Sequence, residues 1–420
     1  MPEPDRLQLR ALANRVFTPR QPIRSRDLFA GRAPQLNRVV DAVLQAGAHV
    51  LIHGERGVGK TSLANCIAPV VDGASTETNP IMVAPVVNCE TGDDFNRLWR
   101  RVLAPFATTG ERDAFGFSPA SIEWDAHVLD GVAEPLRPHN VIDALTPLAG
   151  QCKVVIPIDE FDRLTDSMSL QQTTDVLKGL SDRGIDAILC LVGVGDSVTA
   201  LIDAHESISR HLIEVPLPRM SVGEQYELLE MRLPGLGLTI DDEARRVVVS
   251  IARGLPYYNH LLGLKASLQA LSDGQSEITH AVVQAAIRAA IDDSEYSIRT
   301  AYATAVHSPR AEAKHIETLT ACALASADEF GYFSPKDVEA PYSKIEKQTT
   351  SVSMFNKRLK RFTTSDRAEV LRMTGSERLR RYRFRDPMLQ PFVVLKAIER
   401  GLIEFGDLEA IAGQPQQQSR

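Results

Sequence analysis

A chain of 420 residues, 44% hydrophobic and 24% charged, has room for two or three domains with cores of their own and reads as globular rather than disordered or fibrous. No apolar run approaches the ~18 residues that span a bilayer, and Glu3 and Asp5 stand where a leader would be apolar, so neither a membrane span nor a signal peptide is expected. The net charge of −7 is uneven: residues 344 to 385 hold thirteen Lys and Arg against four acids, an excess of nine that leaves −16 elsewhere and points to an anionic partner near the C-terminus.

Ala48 to Ile52 is a short apolar run suited to a buried strand. It leads into Gly54-Glu55-Arg56-Gly57-Val58-Gly59-Lys60-Thr61, which reads G-x-x-x-x-G-K-T, and Ser62 to Ala68 reads as the helix that follows. Strand, loop and helix together make the setting of a phosphate-binding loop. A chance glycine turn would need the Lys-Thr pair and both flanks to be coincidences. The glycines let backbone N–H groups turn inward on a phosphate at the positive end of a helix. Lys60 would bridge the β- and γ-phosphates of a nucleoside triphosphate, and the Thr61 hydroxyl would hold Mg²⁺.

Ile81 to Cys89 is the next strand candidate. Asp93 to Leu103 then carries Phe95, Trp99, Val102 and Leu103 at helical spacing, and Thr108 to Pro119, rich in Gly, Thr and charge, reads as a loop. Lys153 to Glu160 is an apolar run ending in Asp-Glu, which fits a central parallel strand delivering two carboxylates to its C-terminal edge. Asp159 would support the Mg²⁺ shell, and Glu160 would orient and deprotonate the attacking water. A strand that merely ends at a polar helix cap is the alternative, and the position about a hundred residues past the phosphate loop favours catalysis. A helix from Thr173 to Leu180 precedes another buried strand, Ala187 to Val194, which ends in Gly195-Asp196-Ser197. Asp196 or Ser197 would sense the γ-phosphate at that strand tip, or simply cap a helix. The five cysteines are far apart, three of them in strand-like runs, so a metal cluster or disulfide framework is not expected and a reducing cytoplasm is.

From Met220 to about Arg299 the chain is helical in character. Ser221-Val222-Gly223-Glu224 forms a capping box, Leu233 to Gly237 marks a turn, and Asp241-Asp242-Glu243 starts a further helix. Beyond residue 309 the pattern is a helix (Ile316 to Ala325), a second beginning at Ser334-Pro335, and a third with Val352, Phe355, Leu359 and Phe362 on one stripe. Lys357, Arg358, Lys360 and Arg361 take that helix's other faces. Two strands, Glu369 to Met373 and Arg381 to Arg385, flank a turn at Thr374-Gly375-Ser376, with Tyr382 and Phe384 on one face and Arg381, Arg383 and Arg385 on the other. A basic helix followed by a basic hairpin is the arrangement with which a winged helix meets DNA. The same module also docks proteins, and no residue can be set against a base edge.

These features resemble the AAA+ superfamily, in the branch that holds origin-recognition initiators and STAND signalling ATPases. Besides the phosphate loop and the Asp159-Glu160-Phe161-Asp162 turn, Leu28-Phe29-Ala30-Gly31-Arg32 is similar to the segment that packs on the nucleotide base there. Ser207 to Arg210 with Ile213 to Pro218 is similar to the box that supplies an arginine finger, and Gly254-Leu255-Pro256 to the lid's glycine-proline element. The resemblance spans about residues 20 to 400. It implies an α/β fold, a P-loop AAA+ core with a parallel sheet, divided as an N-terminal extension (1–24), the core (25–218), a small helical lid (219–305), a C-terminal winged-helix domain (306–402) and a disordered polar tail (403–420). It also implies ATP over GTP, with Phe29, Arg32, Asp196, Ser62 and Pro256 joining the loop at the nucleotide and Arg210 acting across a homo-oligomer. Arg210 also reads as an ordinary surface arginine. Tyr257-Tyr258 depart from the pattern, because many members place an arginine there, and Arg253 is the nearest substitute.

Two functions follow from this reading. One is an ATPase switch that couples nucleotide state to duplex DNA through the basic winged helix. The other is a STAND-like signalling or adaptor ATPase, for example in bacterial antiviral defence, whose winged helix contacts an effector or partner protein or its own nucleotide domain.

Overall fold

The computed structural model describes residues 3–25, 29–76, 79–106, 110–113, 121–124, 134–194, 208–308, 313–376 and 379–412. The chain opens with helix α1 (Glu3–Val16) and divides into two compact units. Residues 22–55 and 59–217 make a sheet unit, and residues 1–21, 56–58 and 218–420 a helical one.

The sheet unit runs α2 (Ala33–Leu44), β1 (His49–His53), α3 (Lys60–Val71), β2 (Ile81–Val83), β3 (Val87–Asn88), α4 (Phe95–Leu103), β4 (Gly110–Asp113), β5 (Ser121–Trp124), α5 (Pro138–Ala149), β6 (Lys153–Asp159), α6 (Ser167–Asp182), β7 (Ala187–Gly193) and β8 (Leu212–Pro216). Five strands lie in the order β2-β6-β7-β1-β8, all parallel, and β3 also pairs with β6. β6 and β7 are buried at every residue, as continuous apolar runs between two helical layers must be. The strand read as Ile81 to Cys89 is broken in two. Val83 pairs with Val155 and Val87 with Ile158, so four residues pass along three of β6, and the extra residue falls beside Pro85, which has no N–H to give. The segment read as a loop at 108–119 contributes a strand, since β4 pairs antiparallel with β5. Gly110-Glu111-Arg112-Asp113 has no apolar residue, so no alternation marks it as a strand.

The core has a polar rivet. His49, 1% exposed, accepts the Leu189 N–H at Nδ1 (3.0 Å), and its Nε2 faces the Leu177 carbonyl at 2.9 Å, so the network assigns the neutral Nε2–H tautomer. It ties β1 to β7 and α6 together.

The helical unit adds α7 (Val222–Arg232), α8 (Asp242–Ala252), α9 (Pro256–Asp273), α10 (His280–Asp292), α11 (Tyr296–Val306), α12 (His315–Leu324), α13 (Glu339–Glu346), α14 (Val352–Arg361), α15 (Leu389–Glu399) and α16 (Phe405–Ala412). One short parallel pair, β9 (Thr239–Ile240) with β10 (Glu277–Ile278), leads into α8 and α10, and β11 (Leu371–Thr374) and β12 (Arg381–Phe384) form the antiparallel hairpin. The capping box at Ser221 is present, with Glu224 reaching back to the Ser221 N–H at 2.7 Å, and Asp241 caps α8. Helix α16 falls where the sequence reads as polar tail. Asp407 pairs with Lys344 at 2.8 Å, and the Phe405 ring meets His280 edge-on. Residues 413–420 of that tail lie outside the described residues. Among the described residues no helix is long and apolar enough to cross a membrane, and all five cysteines are buried as free thiols.

Burial holds the His49 imidazole down to about 4, far below its unfolded value near 6.5. Between those two values only the unfolded chain takes up the proton, so stability is complete above about pH 6.5 and falls as pH drops toward 4, by on the order of 3 kcal/mol for this group. The thermal midpoint followed from pH 7 to 4.5 is expected to fall, and less steeply in His49→Gln. A parallel profile for the two proteins contradicts the assignment.

Candidate nucleotide site and basic surface

The loop 54–61 leaves the carboxyl end of β1 and enters α3 directly. Gly57 and Gly59 stand at φ +85° and +100°, conformations that side-chain-bearing residues rarely adopt, so the two glycines are required by the turn itself. Lys60 opens α3, with Thr61 and Ser62 in its first turn. The Lys60 ammonium donates to the carbonyls of Gly54 (3.0 Å) and Glu55 (2.8 Å). Desolvation lowers its proton affinity, and the carboxylates of Asp162, Asp159, Glu55 and Glu160 oppose that effect. Ser62 is engaged differently from the sequence reading, because its hydroxyl accepts the Ile23 N–H at 3.1 Å.

Asp159 ends β6 buried at 2% exposure and accepts the Glu160 N–H at 2.7 Å. Glu160 itself is left-handed, φ 53° and ψ 34°, a conformation costing about 1–3 kcal/mol in a residue with a side chain. That turn swings its side chain out of the ladder, and Arg163 Nη2 meets Glu160 Oε1 at 3.1 Å. Lys60, Thr61, Asp159 and Glu160 therefore all lie at the carboxyl ends of β1 and β6, two strands separated by β7. No group of three or more His, Cys, Asp or Glu among the described residues could hold a metal. A hydroxyl and one carboxylate suit Mg²⁺ held largely by phosphate and water, and an ammonium at a helix start with two left-handed glycines suits a polyphosphate, so these residues fit both groups.

Phe29 is half-buried, and Arg32, 3% exposed, sits at the start of α2 after Gly31 at φ +71°. Arg210 is exposed, donates to His211 at 2.9 Å and lies 3.6 Å from Asp182. Gly195, Asp196 and Ser197 lie outside the described residues.

The remaining sequence candidates belong to the helical unit. Pro256 is the first residue of α9. Gly254, at φ +78°, leaves no room for a Cβ, which would fall 2.8 Å from the Met220 carbonyl. Arg253 is also left-handed and donates to the Ala325 carbonyl at 2.8 Å, and the Tyr258 hydroxyl donates to the Met388 carbonyl at 2.8 Å. Arg219 reaches Gln390 at 2.6 Å, and Gln390 in turn donates to the Ala323 carbonyl. The glycine-proline corner is thus hydrogen-bonded around the ends of α12 and α15, through the Ala325 and Met388 carbonyls and the Gln390 side chain, partners too distant in sequence for sequence reasoning to find. Arg56 of the loop, which groups with this unit, pairs with Asp386 at 2.6 Å and Glu295 at 3.7 Å.

The basic stretch is not uniformly available. In α14, Phe355 and Leu359 are buried and Lys357, Lys360 and Arg361 exposed, whereas Arg358 donates to Thr318 Oγ1 (2.8 Å) and Tyr342 Oη (2.6 Å). Arg361 pairs with Asp366 at 2.8 Å, Arg381 with Asp328 at 2.8 Å, and Arg385 with Glu369. Arg383 lies over the Tyr332 ring, 4.8 Å from its centroid. Arg367, counted in the basic excess, is buried and caps the end of α11 through the Ala305 carbonyl at 3.1 Å. At the hairpin turn Gly375, φ +86°, is obligatory, because a Cβ would lie 2.3 Å from the Leu379 carbonyl.

Residues 28–192 match the AAA ATPase domain family. The Aeropyrum pernix ORC2 protein, solved in ADPNP–ADP complexes, superposes with a TM-score of 0.51 at 14% identity, over 92% of this chain and 97% of that one. A Walker-type ATPase of Pyrococcus abyssi gives 0.53 at 13% identity, over 90% and 99%. At such identities the likeness establishes the fold, which is that of the P-loop AAA+ ATPases. No curated protein matches the sequence.

Arg358→Ala removes hydrogen bonds to Thr318 of α12 and Tyr342 of α13 and is expected to cost about 1–3 kcal/mol in urea unfolding, while Lys357→Ala stays within about 0.5. Equal losses in the two variants contradict this division of the basic face.

Proposed function

We propose that the protein is an ATP-hydrolysing molecular switch whose nucleotide state governs contact with duplex DNA through a C-terminal winged helix. The observation that carries the hydrolytic half is the half-buried Lys60 ammonium in the field of Asp162, Asp159 and Glu160 at the carboxyl ends of the parallel strands. Lys60 and the amides of Gly57, Val58 and Gly59 would hold the triphosphate, and Thr61 and Asp159 the Mg²⁺. When bound, the metal supplies neutralisation of the charge that builds on the phosphoryl oxygens. Glu160 takes a proton from the attacking water at its carboxylate. Arg210, exposed on its turn, acts on the site of a neighbouring copy in a homo-oligomer.

Lys357, Lys360 and Arg361 on the outer face of α14, with Arg381, Arg383 and Arg385 on the hairpin, form the DNA-facing set. Three of these arginines are in exposed ion pairs, which are worth little in water and exchange readily for phosphate. A second reading has one observation in its favour. The hydrogen bonds from Arg253, Tyr258 and Arg219 to the C-terminal helices hold the glycine-proline corner as a STAND-like adaptor would, with a protein as the partner.

Turnover of ATP by the whole chain, with and without duplex DNA, separates these readings. Lys60→Ala is expected to abolish nucleotide binding or turnover, and Glu160→Gln to bind but lose at least about 100-fold in kcat. Turnover at the parent rate in Glu160→Gln removes the base. DNA affinity is expected to depend on nucleotide and to fall steeply from roughly 50 to 200 mM salt. Combined Ala replacement of Arg381, Arg383 and Arg385 should lower the salt slope by up to about three. Binding indifferent to ATP, ADP and salt favours the adaptor.

A further inference from the structure

The pairing of β6 with β7 runs from Val154 opposite Ala187 to Ile158 opposite Leu191 and ends there, because Glu160 turns the chain out of the sheet in the left-handed conformation. Residues 161–163 close a single tight turn, with the Arg163 N–H donating to the Glu160 carbonyl at 2.8 Å. The tip of β7 therefore has no strand partner on that side. Asp162 supplies one, since its Oδ1 accepts the Val194 N–H at 3.1 Å, three residues beyond the last residue of β7 paired with β6.

Gly193 makes this contact possible. A Cβ at that position would lie 3.2 Å from Asp162 Oδ1 and 3.4 Å from the Asp162 backbone nitrogen. Gly193 is not among the positive-φ glycines, so its backbone suits alanine and the requirement is for space alone. The same Asp162 carboxylate helps to keep Lys60 charged.

We propose that Asp162 is a positioning residue that latches the tip of β7 to the Glu160 turn and thereby fixes the candidate base relative to the strand beside it. The inference rests on the hydrolytic reading of Glu160. At the latch the carboxylate holds an acceptor against a backbone donor, so geometry is what the latch contributes, while its charge acts separately on Lys60.

Three variants test this. Asp162→Ala deletes the acceptor, Asp162→Asn keeps an oxygen at the same place without the charge, and Gly193→Ala crowds the carboxylate while leaving it intact. Each is checked for folding by its thermal transition, then measured for ATP turnover and for hydrogen exchange at the Val194 amide. Asp162→Ala is expected to lower kcat by about 10- to 100-fold with KM changed less than about 3-fold, and to speed Val194 exchange. Asp162→Asn restores most of both, and Gly193→Ala falls between, which keeps the test alive if Asp162→Ala does not fold. Parent kcat with parent exchange in Asp162→Ala or Gly193→Ala overturns the latch, as does Asp162→Asn as damaged as Asp162→Ala. Failure of the hydrolytic reading looks different: Glu160→Gln then turns over like the parent, or the parent does not turn over at all, while the Val194 exchange rates still report whether the latch exists.

Discussion

Holding a half-buried ammonium in the field of several carboxylates is the constraint around which the sheet edge is organised. Removing a charge from water costs several kcal/mol unless partners replace the lost hydration. Lys60 finds them in two carbonyls of its own loop and in four acids drawn from β6, its following turn and the loop. Lys60, and Arg163 on Glu160, are outnumbered by these acids, which leaves the pocket no surplus of positive side chains for a polyanion. On the proposed function, a triphosphate entering it would need a divalent cation to offset Asp159 and its neighbours, which would couple metal and nucleotide by electrostatics.

Backbone strain sits at the same edge. Gly57 and Gly59 bear positive φ without penalty, but Glu160 does so with a side chain. Its turn is stabilised by Asp159 accepting the Glu160 N–H, by the Arg163 to Glu160 backbone bond, and by Asp162 reaching β7. A residue forced into a sparsely populated conformation at the end of a buried strand is held in place by the sheet, which is what the proposed base would need.

Much of this was legible in the residues. The loop motif, the Asp-Glu strand end, the caps at Ser221 and Asp241, and the Phe355, Leu359 and Phe362 stripe are short-range patterns, and the elements stand where those patterns put them. What was hidden depends on partners distant in sequence. The break at Pro85 appears only when β2 and β3 are laid along β6. The burial of Arg367 depends on the end of α11, and Arg358 is claimed by α12 and α13, so a count of basic residues overstated the charge available to a partner. The Asp162 contact to Val194 belongs to the same class, since nothing local distinguishes an acid that bonds across strands from one that faces water.

The measurement that bears most directly on this account is calorimetric titration of the full chain with ADPNP in the presence and absence of Mg²⁺. One saturable site per chain, tighter by about tenfold or more with the metal, is the predicted result. Equal affinity with and without Mg²⁺, or no saturable heat at all, contradicts the arrangement of Lys60 and its carboxylates as a metal–nucleotide site.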